Sequence, residues 1–80
     1  MKRIAYVSAV YGTTYDTEEV THYEIHVVPE GEPQGIGDPE NLCARFPVSR
    51  SARNEAMLSD AIIHTLAMLQ NSGCEIRFFF

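Results

Sequence analysis

The chain has 80 residues, of which 45% are hydrophobic and 21% charged, and its formal net charge is −5. This length and composition predict that residues 1–80 form a single globular domain with a thin core, and they argue against global disorder. The negative charge excludes nucleic-acid binding through clustered phosphate contacts, because that mode requires many Lys and Arg side chains. We expect a cytoplasmic protein, since no apolar leader follows Met1 and no apolar stretch approaches the ~20 residues of a membrane span.

Two alternating apolar segments at the start of the chain predict two strands. Residues 3–11 are apolar on both faces, which predicts a central strand that is covered on part of each side. Residues 20–28 alternate more cleanly, and their second face is expected to meet solvent or a partner. The residues expected to face the core are Thr21, Tyr23, Ile25 and Val27. Residues 12–19 are rich in turn formers and charge, which predicts a hairpin loop between the strands.

A long acidic segment follows at residues 29–41, with three prolines, three glycines and four acidic residues. This composition predicts a loop, and loops longer than about 12 residues tend to be functional or mobile. Residues 42–48 are compatible with a short third strand, which Pro47 would confine to the edge of the sheet or end early.

The last third of the chain predicts one helix and one strand. Ser51 is the predicted N-cap, and Gly73 stands where a left-handed C-cap belongs. The apolar stripe expected to face the sheet consists of Leu58, Ile62, Leu66 and Leu69. Residues 74–80 alternate and are strongly aromatic, which predicts a final strand. The expected fold is therefore α+β, with an antiparallel sheet of three to four strands and one long helix on one face, in the order β-β-(β)-α-β.

A second apolar sector of the helix leaves two interpretations open. Met57, Ala61 and Met68 lie between the apolar stripe and the polar face, so either the helix is deeply buried or these residues form a dimer or partner surface. Phe79 raises the same question, because a Phe exposed on an edge strand favours pairing with another chain. The candidate residues of a homodimer interface are Met57, Met68 and Phe79.

His22, Glu24 and His26 share one face of the second predicted strand and are spaced about 6.5–7 Å apart. Two such side chains can share a metal ion, but zinc needs three or four ligands and all three on one strand would be stretched. The alternative is a solvated strand face with an acid–histidine pair. We favour this alternative and expect no metal or other cofactor, and the three residues remain low-ranked metal candidates.

The sequence has no pattern typical of an active site. Neither a nucleophile elbow nor a phosphate-binding loop is present, which favours a non-enzymatic protein. Cys43 and Cys74 belong to no CxxC pair, and in a reducing compartment the default expectation is two free, partly buried thiols rather than a disulfide.

The clearest functional signal is the distribution of charge. Between Ile4 and Ala44 the chain has eight carboxylates and no Lys or Arg. An acidic surface repels nucleic-acid phosphate and anionic membrane and attracts basic protein surfaces, although the same carboxylates could serve solubility alone. The predicted partner-binding residues are Asp16, Glu18, Glu19, Glu30, Glu32 and Glu40.

In length, acidity, absence of motifs and compact α+β order, the chain resembles small phage-encoded inhibitors of bacterial defence, the anti-CRISPR proteins among them. The resemblance implies stoichiometric blockade of a basic nucleic-acid-binding surface, such as that of a CRISPR effector complex. It carries over no functional residue, because it includes no family-specific motif. The leading hypothesis is an acidic protein-binding module that contacts neither nucleic acid nor membrane directly. A homodimeric structural or assembly protein is the alternative, and a metal-binding protein is the third hypothesis.

Overall fold

The computed structural model describes residues 2–31, 35–48 and 52–79. The elements in chain order are β1 (Arg3–Thr14), β2 (Thr17–Pro29), a 3-10 helix (Pro39–Asn41), β3 (Leu42–Pro47), α1 (Ala52–Asn71) and β4 (Glu75–Phe79). The predicted α+β class and the predicted element order are confirmed, and the third strand is present. The predicted N-cap Ser51 and the acidic Glu32 lie outside the described residues.

The sheet has four strands in the order β3-β2-β1-β4. β2 is antiparallel to both β1 and β3, whereas β4 is parallel to β1, so the sheet is mixed rather than purely antiparallel. The difference arises from α1, because a helix between two strands returns the chain to the end of the sheet where the previous strand began. The previous strand is β3, which runs in the same direction as β1, so β4 also runs parallel to β1.

The core lies between α1 and the facing side of the sheet. Its buried members are Ala5, Val7, Ile25 and Cys74, against which Leu66 and Leu69 of the helix pack. The alternation of apolar residues in β1 and β2 fits the strand pairing, because Val7 lies opposite Ile25 on the same face of the sheet. A shift by one residue would turn these side chains away from the helix, so burial specifies the register.

The opposite side of the sheet is also partly covered, as predicted for residues 3–11. The second face of residues 20–28 was expected to meet solvent or a partner, but its members Val28 and His26 are buried, as is Ile4, which lies opposite Val28. The cover comes from the segment after β2: a Cβ placed on Gly35 would lie 2.9 Å from Val28 Cγ1. Asn41 holds this segment in place, since its Nδ2 donates a hydrogen bond to the Gly35 carbonyl at 3.0 Å.

The helix ends at the predicted glycine cap, and its apolar face is only partly buried against the sheet. Gly73 has φ +91°, its N–H donates to the Gln70 carbonyl, and the Cys74 N–H donates to the Leu69 carbonyl, which together form a Schellman cap. The predicted stripe is only half-buried, and Met57 is 62% exposed, so the deeply buried helix is excluded.

Within the described part of the chain, no helix has the length and apolar character needed to cross a bilayer.

Candidate partner-binding surface

The β1–β2 hairpin extends beyond the other two strands. Pairing of β3 with β2 reaches only His22, and pairing of β4 with β1 reaches only Ser8. Residues 11–20, which we call the arm, pair with each other and with no other described strand. At about 3.4 Å per residue, the arm projects roughly 15 Å from the four-stranded sheet.

The predicted hairpin connects the first two strands, but the prediction of a loop over residues 12–19 was wrong in length, because the strands of the arm occupy most of it. The paired residues run to Thr14 and Thr17, which leaves a two-residue turn at Tyr15 and Asp16. Threonine is a good strand former, and Asp16 and Glu18 remain exposed to water. Turn-like composition therefore did not prevent strand pairing.

A β-bulge marks the base of the arm. The register shifts between Val10 and Tyr11, so that Thr21 is the extra residue of β2. Its Oγ1 donates to the Val10 carbonyl at 3.3 Å, and its Cγ2 would lie 2.8 Å from a Cβ on Gly12. Glycine is thus required for close packing at this point. Because bulges bend a strand and increase its twist, this one sets the direction in which the arm points.

The turn at the end of the arm is strained. Tyr15 and Asp16 have φ values of 51° and 64°, in the left-handed region. Two-residue hairpin turns of this kind favour Asn-Gly, whereas a bulky aromatic residue is uncommon there. Tyr15 is also 96% exposed, so its ring contributes no packing that would compensate for the strain. Strain retained without a structural benefit motivates a functional hypothesis for this side chain.

Three carboxylates follow Tyr15 closely in sequence. Asp16 and Glu18 are exposed, and Glu19 is half-buried and interacts with other groups of the chain. The arm contains no Lys or Arg, so its sequence supplies no internal neutralisation. We call Tyr15, Asp16, Glu18 and Glu19 the arm tip.

Of the other predicted acidic residues, the described Glu30 and Glu40 lie at the opposite end of the hairpin. Glu30 follows β2, and its N–H donates to the Lys2 carbonyl at 3.0 Å. Asp38 caps the 3-10 helix by accepting a hydrogen bond from the exposed Glu40 N–H at 3.2 Å. β2 has 13 residues, which at about 3.3 Å each places this group roughly 40 Å from the arm tip. The structure therefore divides the predicted acidic surface into two separate groups.

The described ion pairs lie on the four-stranded sheet. Arg45 Nε lies 3.6 Å from Glu24 Oε2. Glu75 Oε2 lies 2.8 Å from Arg77 Nη2 and 3.6 Å from Lys2 Nζ. The Glu75 carboxylate raises the pKa of the Arg77 guanidinium above its ordinary value, against a smaller opposing effect of desolvation.

The predicted metal candidates His22, Glu24 and His26 do not converge on a common point. The His22 Nδ1 lies 2.9 Å from Thr21 Oγ1 and 3.5 Å from Arg45 Nη2, while Glu24 is paired with the same arginine. His26 is buried, and no described group hydrogen-bonds to its Nδ1. Over residues 2–31, 35–48 and 52–79, no group of three or more His, Cys, Asp and Glu side chains is arranged to hold a metal ion.

The predicted dimer residues do not form one patch. Met57 and Met68 are exposed on α1, whereas Phe79 lies opposite Ser8 and so belongs to the sheet face that α1 does not cover.

Cys43 is exposed and Cys74 buried, and both are free thiols, so the burial expected for both holds only for Cys74.

The sequence predicted the acidic residues of the arm tip but missed Tyr15. The available signal was the pair Tyr15-Asp16 between Thr14 and Thr17, where turn-forming residues are expected at the two central positions. Comparison of the chain with protein-family models, with curated proteins and with solved structures found no match.

Proposed function

We propose that the protein is a small, non-enzymatic binding module whose arm tip binds a basic surface on another protein. The observation that supports this most strongly is the exposed, strained Tyr15 at the end of a projecting hairpin, next to the exposed Asp16 in sequence. Solubility alone would require the carboxylates but not the aromatic ring.

The chemistry of the arm tip suits arginine. A guanidinium group can stack on the Tyr15 ring while it donates hydrogen bonds to the Asp16 or Glu18 carboxylate. A cation–π contact is worth about 0.5–1 kcal/mol when exposed and about 2 kcal/mol when desolvated. Tyrosine and arginine also dominate the energetically important positions of protein interfaces.

Arginine-rich grooves are typical of proteins that bind nucleic acids, because they contact phosphate through many basic side chains. A hairpin two strands wide that projects about 15 Å could enter such a groove and compete with the nucleic acid. We therefore propose stoichiometric blockade of a basic nucleic-acid-binding surface, with bacterial defence complexes of the kind inhibited by anti-CRISPR proteins as one target class.

The test compares two charge reversals of equal size. One variant carries Asp16→Lys and Glu18→Lys at the arm tip, and the other carries Glu30→Lys and Glu40→Lys at the far end of the hairpin. Wild-type protein and both variants are immobilised, and proteins captured from a bacterial lysate are identified over a salt series. We expect the arm-tip variant to lose capture of nucleic-acid-binding proteins and the other variant to retain most of it.

Equal loss in both variants would mean that net charge rather than the arm determines binding. Undiminished capture by the arm-tip variant at low salt would contradict the proposal directly.

A further inference from the structure

β4 is an edge strand with an open side. It pairs with β1, and no other described strand lies along its second edge. A strand edge without a neighbouring strand can pair with another chain. The other edge strand, β3, is less suitable because a register shift interrupts its pairing and Pro47 closes it.

The β4 edge also exposes aromatic side chains on both faces of the sheet. Phe78 is 63% exposed on the face that α1 covers, and Phe79 is 60% exposed on the opposite face. Proteins usually protect such edges with a short strand, proline, a bulge or charged side chains. β4 has five residues and no proline, and its two charged residues, Glu75 and Arg77, have opposite signs.

We propose that β4 pairs antiparallel with β4 of a second copy of this chain, with the twofold axis at Ile76. In this register Glu75 of each copy lies opposite Arg77 of the other, which gives two reciprocal ion pairs. An axis at Glu75 or at Arg77 would place like charges opposite each other. The strand is therefore complementary to itself in one of these registers.

The resulting dimer has a continuous sheet in which both helices lie on the same side. In this register Phe78 and Phe79 of one copy lie opposite Cys74 and Gly73 of the other, so each Phe buries at most about 120 Å² of the side chain that is now exposed. With the backbone of three paired β4 residues in each copy, the contact stays below the roughly 1,200 Å² of a standard specific interface. The expected dimer is therefore weak and concentration-dependent. Its two arm tips point in opposite directions, and its formation does not depend on the proposed partner.

The test is sedimentation velocity over about a hundredfold range of concentration, with reductant present because Cys43 is exposed. We expect the wild-type mass to double at the upper end of the range. Glu75→Arg and Arg77→Glu should each weaken the dimer about tenfold or more, because each places like charges opposite each other at two positions. Asp60→Arg, an exposed reversal on α1, serves as the control and should leave the dimer unchanged.

A mixture of the two single variants separates the interface from effects within one chain. Each variant breaks its own Glu75–Arg77 contact, but the two together present opposite charges across the proposed axis. We expect the mixture to dimerise with close to wild-type affinity. A wild-type chain that stays monomeric throughout, or a mixture no better than either variant alone, would overturn the proposal.

Discussion

Replacing the strained turn tests two properties of the arm, its conformational strain and its role in partner binding. The double variant Tyr15→Asn, Asp16→Gly introduces the residue pair that two-residue hairpin turns favour, and both positions have positive φ values, 51° and 64°. Left-handed conformations cost non-glycine residues about 1–3 kcal/mol each, of which asparagine and glycine relieve part. Because Tyr15 is 96% exposed, the change removes almost no packing. We expect a gain of about 1–2 kcal/mol in the free energy of unfolding.

The gain is measurable by thermal and urea unfolding followed by circular dichroism. For a domain of this size, about 1 kcal/mol corresponds to a rise of roughly 4–8 °C in Tm. The control is Tyr15→Val, which leaves a β-branched residue at the same φ and should lower stability. An Asn-Gly variant no more stable than wild type, or a Val variant no less stable, would refute the claim that this turn is strained. The Asn-Gly variant should also lose partner capture, because it lacks both the ring and the Asp16 carboxylate.

Three further predictions concern the framework that holds the arm, all measured by urea unfolding. Gly12→Ala should cost about 1 kcal/mol, since its Cβ would lie 2.8 Å from Thr21 Cγ2, and Thr21→Ser should restore much of the loss by removing that methyl group; no rescue would contradict the proposed contact. Ile25→Ala should cost about 2–5 kcal/mol because Ile25 is fully buried under α1; a smaller loss would mean that the core is loosely packed. Gly73→Ala should cost about 1 kcal/mol, since Gly73 has φ +91° and open space around it; an unchanged stability would argue against the left-handed cap.

The fold was predictable where burial constrains the sequence. Val7 and Ile25 alternate with polar neighbours because they must face α1, and Gly73 is recognisable because few other residues accept its φ. The arm was not predictable in this way, since most of its described residues are exposed and burial constrains their composition little. His26 was misplaced for another reason: strand alternation shows which residues share a face but not whether that face is covered.

The candidate site was only partly predictable for the same physical reason. Charge asymmetry is visible in sequence, so Asp16 and Glu18 were found. Their separation from Glu30 and Glu40 depends on how far the pairing of the hairpin extends. The turn-like composition of residues 12–19 did not indicate that extent. Tyr15 became a candidate only when its φ and its exposure were known together.

The most direct measurement of the central claim is chemical-shift mapping on the ¹⁵N-labelled chain. An arginine-rich peptide is titrated at low and at moderate salt, and the backbone amides are followed. Our account predicts that the largest shifts occur at residues 15–19 and that a lysine-rich peptide of equal charge causes smaller ones, because lysine stacks less well on the Tyr15 ring. The largest shifts at Glu30, Asp38 and Glu40, or shifts spread evenly over all the acidic residues, would contradict it.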